Sequence, residues 1–249
     1  YPKKLYSQAY ISWEYFKSNC KWVNVKRWWW SRKGLLDYAM QSYNGGKFEV
    51  TRKGKDYYYE YDIVSAYPNE IANLIDISDS TLLETRSYIK DSVYGFIKCS
   101  IEIPYRTFSP IALKKGVLNY YPVGTFEKVI TKQEYDYLTS IGCDVNIIRA
   151  YWLVVDEISY PYKNAVNELM KYKAKYKKEK NVSMYLITKK ILNAFYGKLV
   201  QLIWTGKNFR AGSSWNPIYG SIITSNVRLR ISELQQKYDS IVAVHTDSV

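Results

Sequence analysis

Asp62-Ile63-Val64-Ser65-Ala66-Tyr67-Pro68 is the stretch on which the reading of this chain turns. The residues before it, from Asp56 on, are rich in tyrosine and β-branched side chains, which predicts a strand over Asp56 to Val64. Asp62 therefore stands near the end of a strand that Pro68 prevents from continuing. Asn69 is placed to cap a short helix over Glu70 to Leu74. A second acid, Asp247 in His245-Thr246-Asp247-Ser248, follows another apolar strand-like run, Ile241 to Val244. Between them, Lys189-Lys190-Ile191-Leu192-Asn193-Ala194-Phe195-Tyr196-Gly197 lies in a lysine-rich stretch of helical character. An acid on each of two strands can hold a pair of divalent metals while a basic helix grips a triphosphate. Mg2+ takes carboxylate oxygens, keeps waters, and fills its shell from substrate phosphates. Asp also commonly closes strands and opens turns; the order of the three motifs is what favours the chemical reading.

These residues resemble family B DNA polymerases, most closely the protein-primed branch. Asp62 to Pro68 is similar to that family's motif A, Lys189 to Gly197 to motif B, and His245 to Ser248 to motif C. Tyr43-Asn44-Gly45-Gly46 resembles the Tyr-x-Gly-Gly motif joining exonuclease and polymerase regions. Pro217-Ile218-Tyr219-Gly220, with Thr224 and Arg228, is similar to the stretch that leads into motif C. Three positions depart from the pattern: Ala194 where Ser is usual, Ala243 where Tyr is usual, and His245 where an Asp-Thr-Asp would have its first acid.

The resemblance implies an α+β polymerase palm, an antiparallel sheet backed by helices, with a helical-hairpin fingers subdomain. It implies template-directed DNA synthesis from deoxynucleoside triphosphates on a DNA template-primer, started on a terminal protein. Asp62 and Asp247 would be the catalytic metal ligands for two Mg2+ ions, with Mn2+ as an alternative. Tyr67 would lie under the incoming sugar and leave no room for a 2′-hydroxyl. The backbone of Ile63, Val64, Ser65 and Ala66 would meet the triphosphate. Lys189, Asn193, Tyr196 and Gly197 share one helix face. There, by the resemblance, Lys189 would neutralise the nucleotide phosphates, Tyr196 would lie against the nascent base pair, Gly197 would let the template approach the backbone, and Asn193 could hydrogen-bond within that surface. A second phosphate contact falls to Lys173 or Lys175. Tyr43, Gly45, Gly46 and Arg228 would bind DNA. His245 and Thr246 form the variant motif C, where a neutral imidazole lowers the site's negative charge by one.

The chain has 249 residues, 47% apolar, and a net charge of +13, a balance that attracts polyanions. Its 27 Tyr and 8 Trp supply rings for stacking as well as for a core. No apolar run approaches the ~18 residues of a membrane span. Cys20, Cys99 and Cys143, widely spaced beside a single histidine, argue against a zinc site or disulfide framework and fit an intracellular, reducing compartment.

Along the chain, residues 1–42 read as a basic segment with only two acids, Glu14 and Asp37. That is too few for a proofreading metal site, so no exonuclease is expected here. Trp28-Trp29-Trp30 is expected to pack against a neighbouring region, within this segment or outside it. Paired glycines make Tyr43 to Gly46 a predicted turn. Residues 43–104 form the first palm part, with a half-buried strand marked by Ile97, Cys99, Ile101 and Ile103. Residues 105–160 resemble the branch's inserted subdomain; Thr131 to Glu134 opens a helix there, Gly142 ends it, and Asp144 to Val155 returns as a strand. Residues 161–200 form the fingers and 201–249 the second palm part, with a helix over Tyr219 to Tyr238. The chain is expected to be a segment of a longer protein, lacking the thumb. Two other readings stand beside this one: a non-catalytic nucleic-acid-binding relic of a polymerase, motivated by His245, and a nucleic-acid-primed family B replicase.

Overall fold

The computed structural model describes residues 6–116 and 118–249; residues 1–5 of the basic segment lie outside them. The chain opens with α1 (Gln8–Asn19), a short 3-10 helix (Val25–Trp29) and α2 (Lys33–Ser42). After β1 (Lys47–Val50) come α3 (Ala66–Ala72), β2 (Thr81–Thr85) and the long β3 (Tyr94–Ile103). A small hairpin, β4 (Leu113–Lys115) with β5 (Leu118–Tyr120), precedes β6 (Gly124–Thr131), α4 (Lys132–Ser140) and β7 (Asp144–Val154). Two long helices follow, α5 (Lys163–Lys178) and α6 (Val182–Leu199). A second hairpin, β8 (Leu202–Trp204) with β9 (Phe209–Ala211), leads to α7 (Pro217–Lys237) and β10 (Ala243–Thr246).

The main sheet is antiparallel in the order β2-β7-β3-β6. Along β3, Ile97, Cys99, Ile101 and Ile103 are buried and alternate with more exposed Lys98, Ser100 and Glu102, as the pleat requires. Thr131 and Glu134 make the expected capping box at α4, and Gly142, with φ of +80°, turns the chain out of it. Gly95 is fixed by packing, since a Cβ there would collide with the buried indole of Trp152. The central helix, α7, is buried along most of its length. Asn216 caps it by accepting from the Tyr219 N–H, and Pro217 occupies the first helical position, where no amide is needed.

Helices α5 and α6 form the expected hairpin, and Asn181 caps the second. The N-terminal helices share its core: Phe16 of α1 stacks on Phe195 of α6 at 4.0 Å, and Ser12 Oγ donates to the Ile191 carbonyl. Among the described residues no helix is long and apolar enough to cross a membrane.

Two expectations need correction. Residues 56–61 form no strand; Tyr57, Tyr58, Tyr59 and Tyr61 are exposed, and only Asp62 makes an isolated bridge. Strand propensity reflects a fit to a half-buried pleated surface, and these rings have none to cover. The helix after motif A begins at Ala66, with Ser65 in the N-cap position but making no side-chain cap bond, and Asn69 lies inside it, its side chain donating to the Val64 carbonyl. Pro68 is tolerated because the first-turn N–H groups of a helix have no partner within it. The main sheet spans position 104/105, since β3 before it is paired on one side with β6 and on the other with β7, both after it. Of the three tryptophans, Trp28 is half-buried beneath the Arg32 guanidinium, while Trp30 stays 92% exposed.

Candidate active site

Asp62 and Asp247 meet across a short antiparallel pairing. Tyr61 and Val249 exchange two backbone hydrogen bonds of 2.9 Å, and the Ile63 N–H donates to the Asp247 carbonyl at 2.8 Å. This register sets Asp62 opposite Ser248. On the other side β10 pairs with β1, so that His245 faces Phe48 and Thr246 faces Lys47. His245 and Ser248 exchange two further bonds of 3.0 Å, which makes Thr246 and Asp247 the tip of a tight turn. Thr246 sits there with φ of 63°, a left-handed conformation that β-branched residues rarely adopt. Ser248 Oγ, donating to Glu60 at 2.9 Å, ties the turn to the approach to motif A.

The Asp247 carboxyl is held above the ordinary carboxylate range. Burial is the main cause and the Asp62 carboxylate the second, with His245 and Lys189 pulling the other way. A cation beside the two carboxyls would offset the effect of Asp62 on Asp247. Among the described residues no group of three or more His, Cys, Asp or Glu gathers to hold a metal. Asp62 and Asp247 offer two carboxylates, oxygen donors of the kind that Mg2+ takes when water and phosphate complete its shell. His245 packs edge-on against Phe48 at 4.4 Å.

The neighbouring face comes from α3, α5 and α6. Ser65, with φ of 54°, accepts a 2.9 Å hydrogen bond from Lys173 Nζ of α5. Lys175 instead lies exposed beside Glu179, so of the two lysines left open by the sequence only Lys173 reaches motif A. Tyr67 is buried and stacks on Tyr196 of α6, centroids 4.5 Å apart and planes 21° from parallel. Burial raises both phenols, and the nearby Asp247 carboxylate adds to both. Tyr43 joins them, raised by burial and then by Tyr196. Lys189 and Asn193 are exposed on α6, where with Gln8 they line an open cavity. A Cβ built on Gly45 or Gly197 would meet nothing, so both leave open space.

Other expected roles do not survive. Arg228 cannot reach DNA: its side chain is fully buried, with Nη2 2.6 Å from Glu134 and Nη1 donating to the Asn44 and Gly45 carbonyls at 2.7 and 2.9 Å. Gly45 and Gly46 make no turn, and neither has positive φ. Gly46 is required by space, since a Cβ would lie 2.7 Å from Thr246 Cγ2. Part of the backbone expected to face phosphate is already used, Ile63 N–H on Asp247 and Ala66 N–H on the Ile63 carbonyl. The Val64 and Ser65 N–H groups have no partner among the described residues.

Sequence reading missed Lys47 and the second task of Glu134. Lys47 is fully buried, bonded to the Ser109 carbonyl at 2.9 Å and paired with Glu49 at 3.2 Å; burial lowers its pKa despite Glu49. Glu134 was legible as a capping residue, but nothing local announces its partner on α7.

Residues 3–210 match the family described as DNA polymerase type B, organellar and viral. Solved structures of Phi29 DNA polymerase share the fold. Its post-translocation complex with primer-template DNA gives a TM-score of 0.70 at 18% identity, covering 98% of this chain and 48% of that one. Its ternary complex with primer-template DNA and incoming nucleotide substrates gives 0.68 at 17%, covering 97% and 48%. The chain therefore spans about half the length of these structures. No curated protein sequence matches it.

Proposed function

The chain belongs to the type B DNA polymerases of the organellar and viral kind, and on that premise we propose that it carries the palm and fingers of a protein-primed DNA polymerase. The reaction joins the primer 3′-oxygen to the α-phosphorus of a deoxynucleoside triphosphate. The bond to the β-phosphate breaks, pyrophosphate leaves, and the hydroxyl proton passes to solvent. The observation that carries this reading is the approach of Asp247 to Asp62 across the bridge that pairs Asp62 with Ser248, with Lys173, Lys189 and the Tyr67–Tyr196 stack around it.

Divalent metal held by these two carboxylates would lower the cost of deprotonating the primer hydroxyl and of charge on the departing pyrophosphate. The side chains do the positioning. Lys173, released from Ser65, and Lys189 neutralise triphosphate oxygens, and the free N–H groups of Val64 and Ser65 meet the same phosphates. Tyr67, braced by Tyr196, forms a flat floor under the sugar that a 2′-hydroxyl would strike. Gly197 and Gly45 leave the backbone open to template and primer. The Phi29 complexes with primer-template DNA and incoming nucleotides support these partners here. A terminal protein as first primer rests on the Tyr43–Gly46 motif.

The test is Mg2+-dependent primer extension by the full-length polymerase. Asp62→Ala and Asp247→Ala are expected to lower extension by at least about 10³-fold, with primer-template affinity kept within a factor of about two. Robust synthesis by either variant overturns the assignment. An inactive unmutated enzyme that binds primer-template, with Mg2+ or Mn2+, would favour the non-catalytic reading that His245 motivates.

A further inference from the structure

Arg228 is the largest charged side chain enclosed in this protein, and it is bound in two directions at once. One arm of its guanidinium meets Glu134 of α4, itself only 3% exposed at the side chain; the other holds the carbonyls of Asn44 and Gly45. Those carbonyls belong to a segment with no helix or strand bonds of its own, so Arg228 satisfies acceptors that the fold would otherwise bury unpaired. The next residue, Gly46, presses against Thr246, its missing Cβ leaving 2.7 Å to Cγ2 and 3.0 Å to Cα. Thr246 holds a left-handed φ beside Asp247, a conformation that persists only where the surroundings over-determine it. The contacts thus run unbroken from α4 through α7 and the Asn44–Gly46 backbone to the turn that presents Asp247.

We propose that Arg228, paired with Glu134, is a positioning residue of the polymerase centre. It fixes the Asn44–Gly45 backbone so that Gly46 confines Thr246 and orients the Asp247 carboxylate. It touches neither DNA nor nucleotide. The role requires arginine, because a planar fork can serve a carboxylate and two carbonyls together where an ammonium presents a single point. The inference rests on the catalytic assignment of Asp247 only for its effect on rate; the mechanical part stands on the contacts alone.

Arg228→Lys and Glu134→Gln in the full-length polymerase test it. Glutamine preserves the capping role at α4 while removing the ion pair, so the second variant remains informative if the first folds poorly. Three readouts are taken on folded protein: hydrogen exchange of β1 and β10, extension kinetics, and the salt dependence of primer-template binding. Exchange at Lys47–Val50 and Ala243–Thr246 is expected to rise. The kcat of extension should fall roughly 10- to 100-fold, as for a misplaced catalytic group, with nucleotide KM within about twofold and the salt slope unchanged. A slope shallower by about one, with exchange unchanged, would make Arg228 a phosphate contact instead. Faster exchange with undiminished kcat would make it a structural strut and overturn the positioning role. If the unmutated enzyme does not extend primers, the catalytic reading fails, while the exchange arm still decides whether Arg228 holds β1 and β10 in place.

Discussion

Gly46 has no side chain because Thr246 leaves no room for one. Two neighbouring residues thereby carry opposite constraints, one on volume and one on backbone angle, and Asp247 follows directly. Gly46→Ala is expected to lower stability by about 1–3 kcal/mol, as overpacking does, and to cut extension in proportion to the displacement of the turn. The closest clash is with the Thr246 methyl. Thr246→Ser in the Gly46→Ala background should therefore recover part of both losses, read as melting temperature and extension rate. A double variant no better than Gly46→Ala alone would show that the methyl collision is not the cause. His245 bears on the same turn from its outer side. Its backbone closes the turn and its ring lies edge-on to Phe48, so the residue that departs most from the family pattern still has a place in the local packing.

Helices α5 and α6 stand over motif A, joined to it by Lys173 of α5 on Ser65 and by Tyr196 of α6 on Tyr67. A charged hydrogen bond is worth about 1.5–3 kcal/mol. Lys173→Ala is therefore expected to raise the nucleotide KM roughly tenfold or more. Lys175→Ala, whose ammonium points to Glu179, should leave KM within about twofold, as surface pairs contribute little. Equal effects of the two substitutions in steady-state extension would refute this division. Elements of this kind were largely legible in the sequence. Thr131 and Glu134 have capping-box spacing, and the second half of β3 alternates from Ile97 to Ile103, whereas the caps Asn181 and Asn216 were not read from the sequence. The strand expected at residues 56–61 was not, because tyrosine-rich composition reports what a residue packs well against and says nothing about whether a neighbour is there. The start of α3 was missed for a related reason: Ser65 adopts a left-handed angle that its sequence does not announce. The acids, Tyr67 and Tyr196 were legible because motif spacing carries them, but the stacking of the two rings was not, and Lys173 stood only as an alternative to Lys175. Arg228 was misplaced because its partners, Asn44, Gly45 and Glu134, are distant in sequence, and nothing in a solvated-looking basic residue reveals that a carboxylate awaits it.

At the scale of the molecule, the net charge of +13 is spread unevenly between inside and outside. Lys47 and Arg228 are enclosed and spent on carbonyls and carboxylates, so neither can meet a phosphate. The cations left for nucleic acid lie on exposed surfaces. Along α5, Lys171, Lys175, Lys177 and Lys178 are exposed, with Lys173 half-buried among them, and α6 adds Lys189 and Lys190. Glu168 and Glu179 are the only acids in the segment 163–190. Each duplex phosphate neutralised by such a charge releases condensed counterion and contributes about 0.9 to the slope of log affinity against log salt. Primer-template binding measured by fluorescence anisotropy between about 50 and 200 mM salt is expected to show a slope of about −4 or steeper, corresponding to four or more phosphates engaged. Converting Lys171 and Lys178 to alanine should make it shallower by up to about two. The same measurement on Arg228→Lys should not change it, since a buried charge releases no counterion. A slope near zero in the unmutated polymerase would mean that its basic surface meets something other than a nucleic-acid backbone.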